Sequence, residues 1–376
     1  MFTNCARLDR LRATLNSHNR RGLLMSDPIP FVDVYRRIAT EEAFAPPEML
    51  RMYRELLASG RNDDPGFMSM WGFYSGSSSE RATFIIERLQ DLDARRISDM
   101  DATGISVQVV SLTSPGVQVF DAETAKSLSV LANDQLADAV RRHPQRFVGL
   151  AACAPQDPAH AAQEIERCVR TLGFRGVIIN SHTRHEYLND AKFWEICEAA
   201  EVLAVPIYLH PNTPSRGMIQ PLLERGLDGA IYGFAVETGM HALSMIVAGV
   251  FDRFPKLKLV LGHLGEALPF WLYRLDYMHQ AGIRANRYPF LKPLRQPVSA
   301  YLRENVYVTT SGMPWAPAIR FCQEVLGDSH VLYAMDYPYQ YVAAEVAASD
   351  EVPMDAVCRR RFFQTNAEAL FGLEAR

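Results

Sequence analysis

The 376-residue sequence predicts a single (β/α)8, or TIM, barrel. Three observations carry that prediction. Eight short apolar runs, rich in β-branched residues, recur along the chain. Longer helical patterns separate them. The runs are apolar throughout rather than alternating, as strands covered on both faces must be.

The eight runs are Arg37–Thr40, Ile105–Leu112, Arg146–Ala152, Gly176–Asn180, Val205–Leu209, Leu257–Leu261, Val306–Thr310 and Val331–Met335. The helical patterns cover Glu80–Met100, Ala122–His143, Pro158–Leu172, Ala191–Glu201, Gly239–Phe254, Glu266–Gln280 and Trp315–Val325. Eight units is the count that closes a barrel. An open, doubly wound sheet would favour a glycine-rich first turn, and no GxGxxG follows the first run. Two insertions interrupt the alternation. Residues 43–79 follow strand one and residues 211–238 follow strand five, both on the side where barrel active sites form. They are candidates for a lid or a subunit contact.

Residues 1–35 stand apart from residues 36–376, the barrel domain. Arg7, Arg10, Arg12, Arg20 and Arg21 crowd a segment with few acids and no continuous apolar stretch, so a secretory signal is not expected. The segment reads as a flexible arm, or as an upstream start with Met25 the working one.

Composition narrows the function. Hydrophobic residues make up 48% and charged residues 22%, enough for a large core. The net charge of -4 offers no basic surplus for nucleic acid. No uncharged apolar run is long enough to span a membrane. Six cysteines are scattered without a CxxC pair, as in a reduced cytoplasmic protein.

The strand ends carry the chemistry. Strand one ends in Thr40-Glu41-Glu42, strand five in Leu209-His210-Pro211, strand six in Gly262-His263-Leu264-Gly265-Glu266, and strand eight in Met335-Asp336-Tyr337-Pro338. A barrel brings these ends to one mouth. Glu41, His210, His263 and Asp336 then form a carboxylate–imidazole cluster suited to a divalent cation. Each residue alone also fits a structural role, such as a loop cap, a turn residue or a surface ion pair. His263 and Glu266, three apart, fit an imidazole oriented by a carboxylate. Arg274, two turns further on, is either a structural partner of Asp276 or Glu266 or a clamp for a substrate carboxylate.

Several segments resemble the aromatic acid decarboxylases of the amidohydrolase superfamily, the group that includes γ-resorcylate, 2,3-dihydroxybenzoate and 5-carboxyvanillate decarboxylases. These are Arg37 to Phe44, Trp71 to Tyr74, Ser79 to Thr83, Thr113 to Gln118, Asn180 to Thr183, Gly262 to Asp276 and Tyr333 to Tyr341. The resemblance implies an amidohydrolase-type barrel that removes CO2 from an ortho-hydroxy aromatic acid, with 5-carboxyvanillate giving vanillate the leading case. It implies one divalent metal, Mn²⁺ with Mg²⁺ or Zn²⁺ as alternatives, held by Glu41, His210 and Asp336, and no organic cofactor. It gives Asp336 the proton transfer and places Arg274 and Tyr339, with His241, in the substrate pocket. Tyr74 and Arg81 resemble residues lent by a neighbouring subunit, so a homo-oligomer, dimer or tetramer, is implied.

The departures from the superfamily pattern matter. The hydrolases carry His-x-His after strand one; here the chain reads Glu41-Glu42-Ala43. Strand four reads Val177-Ile178-Ile179-Asn180, with no lysine to bridge two metals. A metal-dependent hydrolase of a lactone or amide is therefore the second reading, and a non-catalytic metal-binding barrel the third.

Overall fold

The computed structural model describes residues 35–374. The arm expected for residues 1–35 lies, apart from Tyr35, outside the described residues. Strand β1 is Ile38–Phe44, β2 Val107–Leu112, and β3 comes in two pieces, Phe147–Gly149 and Ala151–Ala152. They are followed by β4 Val177–Asn180, β5 Ile207–His210, β6 Leu259–Leu261, β7 Val306–Thr309 and β8 Val331–Leu332. Every strand pairing is parallel.

Two sets of backbone hydrogen bonds join this sheet into a ring. At the break in β3, Leu150 N donates to Val110 O (2.9 Å) and Ala151 N to Gly176 O (2.8 Å). At the closing seam, Thr40 N donates to Tyr333 O (3.0 Å) and Ala43 N to Tyr337 O (2.7 Å). Glu42 and Tyr337 form a parallel bridge there. The result is the predicted barrel, and the strand residues are buried almost throughout.

Strand one runs further than its apolar run suggested. Its seven residues include Glu41 and Glu42, both buried. A bulge between Ala39 and Glu42 puts an extra residue on β1 against β2. Such a bulge re-aims side chains next to a site, and here the two consecutive glutamates serve different neighbours.

The insertion after β1 folds into α1 (Pro47–Ala58) and α2 (Pro65–Gly76). Asp64 caps α2 by accepting from Gly66 N and Phe67 N, with Pro65 at the first helical position. Tyr53 of α1 packs against Phe67 and Trp71 of α2 at 5.4 and 4.6 Å between ring centroids. Burying Phe67 alone contributes roughly 1.5–3 kcal/mol. Tyr53 OH and Trp71 Nε1 donate to the carbonyls of Gly116 and Ser114, fastening the insertion to the loop after β2.

The expected helix Glu80–Met100 is two helices, α3 (Glu80–Leu89) and α4 (Ala94–Ala102). Asp91 divides them: its carboxylate accepts from Asp93 N and Arg96 N, so side chain replaces backbone as the local partner. Helix α5 (Ala122–Arg142) and α6 (Pro158–Arg170) follow expectation, and α7 is Trp194–Val202. The second insertion contributes α8 (Arg216–Leu223) and the start of α9 (Gly233–Val247). Helix α10 is Leu268–Arg284, α11 Val298–Glu304 and α12 Ala316–Leu326. The expected start of α10 at Glu266 is instead a left-handed turn: residues 263–267 all have φ between 51° and 80°. Only Gly265 takes this conformation without steric cost.

Among the described residues the five cysteines are free, and no helix is long and apolar enough to cross a membrane. Cys5 lies outside them.

Candidate metal centre

Glu41, near the middle of β1, turns its carboxylate into the barrel mouth. Oε2 accepts from Tyr208 OH of β5 and from Thr309 Oγ1 of β7 (3.1 Å). Oε1 is buried and has no hydrogen-bond partner, although His210 Nε2 lies 3.3 Å away. His210 Nδ1 lies 2.8 Å from the carbonyl of Pro211. A carbonyl only accepts, so Nδ1 carries a proton. Nε2 and Glu41 Oε1 thus face one space, 3.3 Å apart, an arrangement that suits a cation when Nε2 carries no proton. Burial alone would raise Glu41, but, without an ion, protonated His210, the charge of His263 and the Tyr208 hydroxyl hold its carboxyl down at about 2. A carboxylate that stays ionised when buried is the donor a hard cation requires.

Gly262 completes this wall. A Cβ there would stand 2.6 Å from Glu41 Oε2 and 3.1 Å from Oε1. The glycine is needed for close approach, since its φ of -65° is open to any residue.

Asp336 follows β8 in the left-handed region, φ 64°. Burial, then the charge of Glu41, raise its carboxyl to about 7, against the pull of His263, His210 and Arg81. No hydrogen bond to its carboxylate is formed among the described residues. Glu41, His210 and Asp336 do not form a group whose ligand atoms all lie within 4.8 Å of one another; among the described residues Asp64, His182 and His185 do. Glu41 Oε1 and His210 Nε2 are 3.3 Å apart, so Asp336 is the member that stands further off. In the second group, His182 Nδ1 accepts from His185 N and Nε2 faces the carbonyl of Thr213, so both of its nitrogens are already engaged.

His263 and Glu266 pair as their spacing suggested, Nδ1 to Oε1 at 2.8 Å, though across a left-handed turn. Burial alone would lower His263, but Glu266, Glu41 and Asp336 together raise it to about 10. The carboxylates around it favour the protonated imidazole, which Glu266 holds in place.

Tyr74 and Arg81 both touch their own chain. Both were expected from a neighbouring subunit. The ring of Tyr74 lies 6.0 Å from that of Tyr339 of the same chain, and Arg81 donates to the Tyr339 carbonyl. The first insertion carries Tyr74 over its own barrel, and Arg81 opens the next helix, which is why both reach their own mouth. Tyr339 itself is anchored by Thr113 Oγ1, 2.6 Å from its hydroxyl.

Arg274 is exposed on α10 and forms no hydrogen bond or ion pair among the described residues; Asp276 instead caps α11 through Ser299. Two turns of helix separate it from Glu266, but the left-handed turn before α10 breaks the shared face. His241 is fully buried, with Nε2 accepting from Leu188 N (2.9 Å) and Nδ1 3.2 Å from Ser181 Oγ. Both ring nitrogens are spent inside the protein, and none is turned to a ligand.

Tyr208 and Glu42 were missed from sequence. Tyr208 had a signal: it sits two residues before His210 on one strand, hence on the same face. Glu42 had none, because only the bulge and the closing seam give it a partner.

A parallel barrel with two carboxylates and imidazoles at its C-terminal mouth defines a class. The family model described as Amidohydrolase matches residues 80–373, and the chain belongs to that family. Within it, the chain is 55% identical to a 5-carboxyvanillate decarboxylase from Novosphingobium aromaticivorans. That structure, with bound manganese and 3-methoxy-4-hydroxy-5-nitrobenzoic acid, covers 90% of this chain and 98% of its own at a TM-score of 0.89. The 5-carboxyvanillate decarboxylase of Sphingomonas paucimobilis is 40% identical, covering 90% of this chain and all of its own, with TM-score 0.85. A γ-resorcylate decarboxylase from Rhizobium radiobacter is 32% identical over 361 residues, 90% of this chain and 99% of the relative.

Proposed function

We propose that this chain is a divalent-metal-dependent, non-oxidative decarboxylase of ortho-hydroxy aromatic acids, with 5-carboxyvanillate, converted to vanillate and CO2, as its substrate. One observation carries the reading: the lone pairs of Glu41 and His210 converge at a barrel mouth that also holds Asp336, in a chain 55% identical to an enzyme of that name.

Glu41, His210 and Asp336 would hold the metal, manganese as in the crystallised relatives. When bound, the cation supplies Lewis acidity to the phenol oxygen and the adjacent carboxylate. Tyr208 and Thr309 keep Glu41 in place. The imidazolium of His263, fixed by Glu266, offsets the negative charge of the substrate. Asp336, which can hold a proton near neutral pH, delivers it to the ring carbon bearing the carboxylate. The C–CO2 bond then breaks, its electron pair returns to the ring, and CO2 leaves. Arg81, Tyr74 and Tyr339 line the side from which the ring enters.

The test is direct. Chelator-stripped protein should not turn over 5-carboxyvanillate, and added Mn²⁺ should restore loss of its ultraviolet absorbance with release of CO2. Failure on every ortho-hydroxy benzoate tried, alongside opening of a lactone, would sink the decarboxylase in favour of the hydrolase.

The same proposal includes a homo-oligomer. Helix α10 exposes Phe270 (71%), Trp271 and Tyr273 (84%), a face too apolar for solvent alone. Arg274 lies on that helix, so it meets substrate only at a neighbour's mouth. Light scattering should give a dimer or tetramer. Mixing inactive Arg274→Ala and Asp336→Asn proteins should recover activity; a wholly inactive mixture would remove Arg274 from the site. A cytoplasmic location fits the free cysteines.

A further inference from the structure

The barrel closes where β1 meets the segment after β8. A regular ladder would give the amides of that segment to backbone carbonyls of β1. Here Met335 N and Tyr337 N both donate to the Glu42 carboxylate, one to each oxygen, at 3.1 Å. Those two amides flank Asp336, whose φ of 64° takes it out of the strand conformation. Glu42 is fully buried beside the guanidinium of Arg96, itself buried over the Tyr337 ring at 4.5 Å. The β1 bulge lets Glu41 face the mouth while its neighbour faces the seam.

From this geometry we infer that Glu42 is a positioning residue for Asp336: its two oxygens clamp the amides on either side and fix the direction in which the Asp336 carboxylate leaves the backbone. Glu42 touches neither substrate nor metal. The inference rests on the decarboxylase reading above, in which Asp336 serves the metal and the proton. Gln at position 42 presents one acceptor and one donor, so it can serve only one of the two amides.

The experiment uses full-length, metal-free wild type, Glu42→Gln and Glu42→Ala, each checked for folding by circular dichroism. Free Mn²⁺ is read by electron paramagnetic resonance, and amide exchange is followed over the peptide containing Met335 and Tyr337. The expected result is faster exchange confined to that peptide, Mn²⁺ affinity lower by about tenfold or more in Glu42→Ala, and an intermediate value in Glu42→Gln. Turnover number should fall more than KM changes. A folded Glu42→Ala with wild-type exchange there, or with Mn²⁺ affinity within about twofold of wild type, overturns the clamp, even if its melting temperature drops. If Glu42→Ala does not fold, the Gln variant decides on the same readouts. If wild type itself takes up no Mn²⁺, the functional reading fails, and the exchange data still decide whether Glu42 holds the segment.

Discussion

His210 Nε2 stands 3.3 Å from Glu41 Oε1, yet that oxygen has no hydrogen bond. Two groups brought together in the interior without bonding each other cost free energy unless a third party joins them. The tautomer set by Pro211 and the ionisation of Glu41 both favour a cation as that party. Three predictions concern this pair and its surroundings, and a fourth the buried His241.

Asp336→Asn removes the transferable proton but keeps an oxygen donor. Metal analysis should still find Mn²⁺ in the protein, while turnover falls by about a thousandfold or more. Near-wild-type turnover would exclude Asp336 as the proton donor.

Gly262→Ala should leave the fold intact, since the backbone there accepts alanine, but its methyl group displaces the Glu41 carboxylate. Mn²⁺ affinity should drop by at least about tenfold with the melting temperature nearly unchanged. Wild-type affinity in a folded variant would contradict the close approach.

Tyr208→Phe removes one donor to Glu41 Oε2 and leaves Thr309 as its remaining one. Titration calorimetry should show metal affinity weakened by roughly 10–100-fold, with the ring's packing retained. An unchanged binding isotherm would assign Tyr208 a packing role alone.

Acid should unfold the protein partly through His241. Burial, then His182, hold its imidazole down at about 3, against 6.5 in the free side chain. Between these values the unfolded chain binds a proton that the folded one refuses. The stabilisation is complete above about pH 6.5 and is lost as pH falls towards 3, by roughly 5 kcal/mol over the full range. Melting temperatures from pH 6.5 down to pH 4 should decline less steeply in His241→Gln. His182, held at about 4 by burial, keeps part of the slope. Parallel slopes for variant and wild type would count against His241.

The barrel was legible because its strands are continuous apolar runs at helical separations, a pattern set by burial on both faces. Glu41, His210 and Asp336 were legible as candidates because each sits at or near a strand end, and a closed barrel sends those ends to one mouth. Chain order alone implied that His263 and Glu266 would meet, since three residues apart are neighbours in a turn of either hand. It did not show that the turn is left-handed, which breaks the helical face that Glu266 and Arg274 were expected to share.

What only the tertiary structure decided are relationships across the seam and the insertions. Whether Tyr74 and Arg81 serve their own mouth depends on how α2 and α3 pack back over the barrel, which no local pattern encodes. Glu42 looked interchangeable with Glu41 in the sequence; the bulge in β1 sends one to the mouth and the other to the amides around Asp336. Periodicity reports which residues are buried, because burial repeats along a strand or helix. It does not report which buried polar group faces which, because that pairing is settled only when distant segments close on one another.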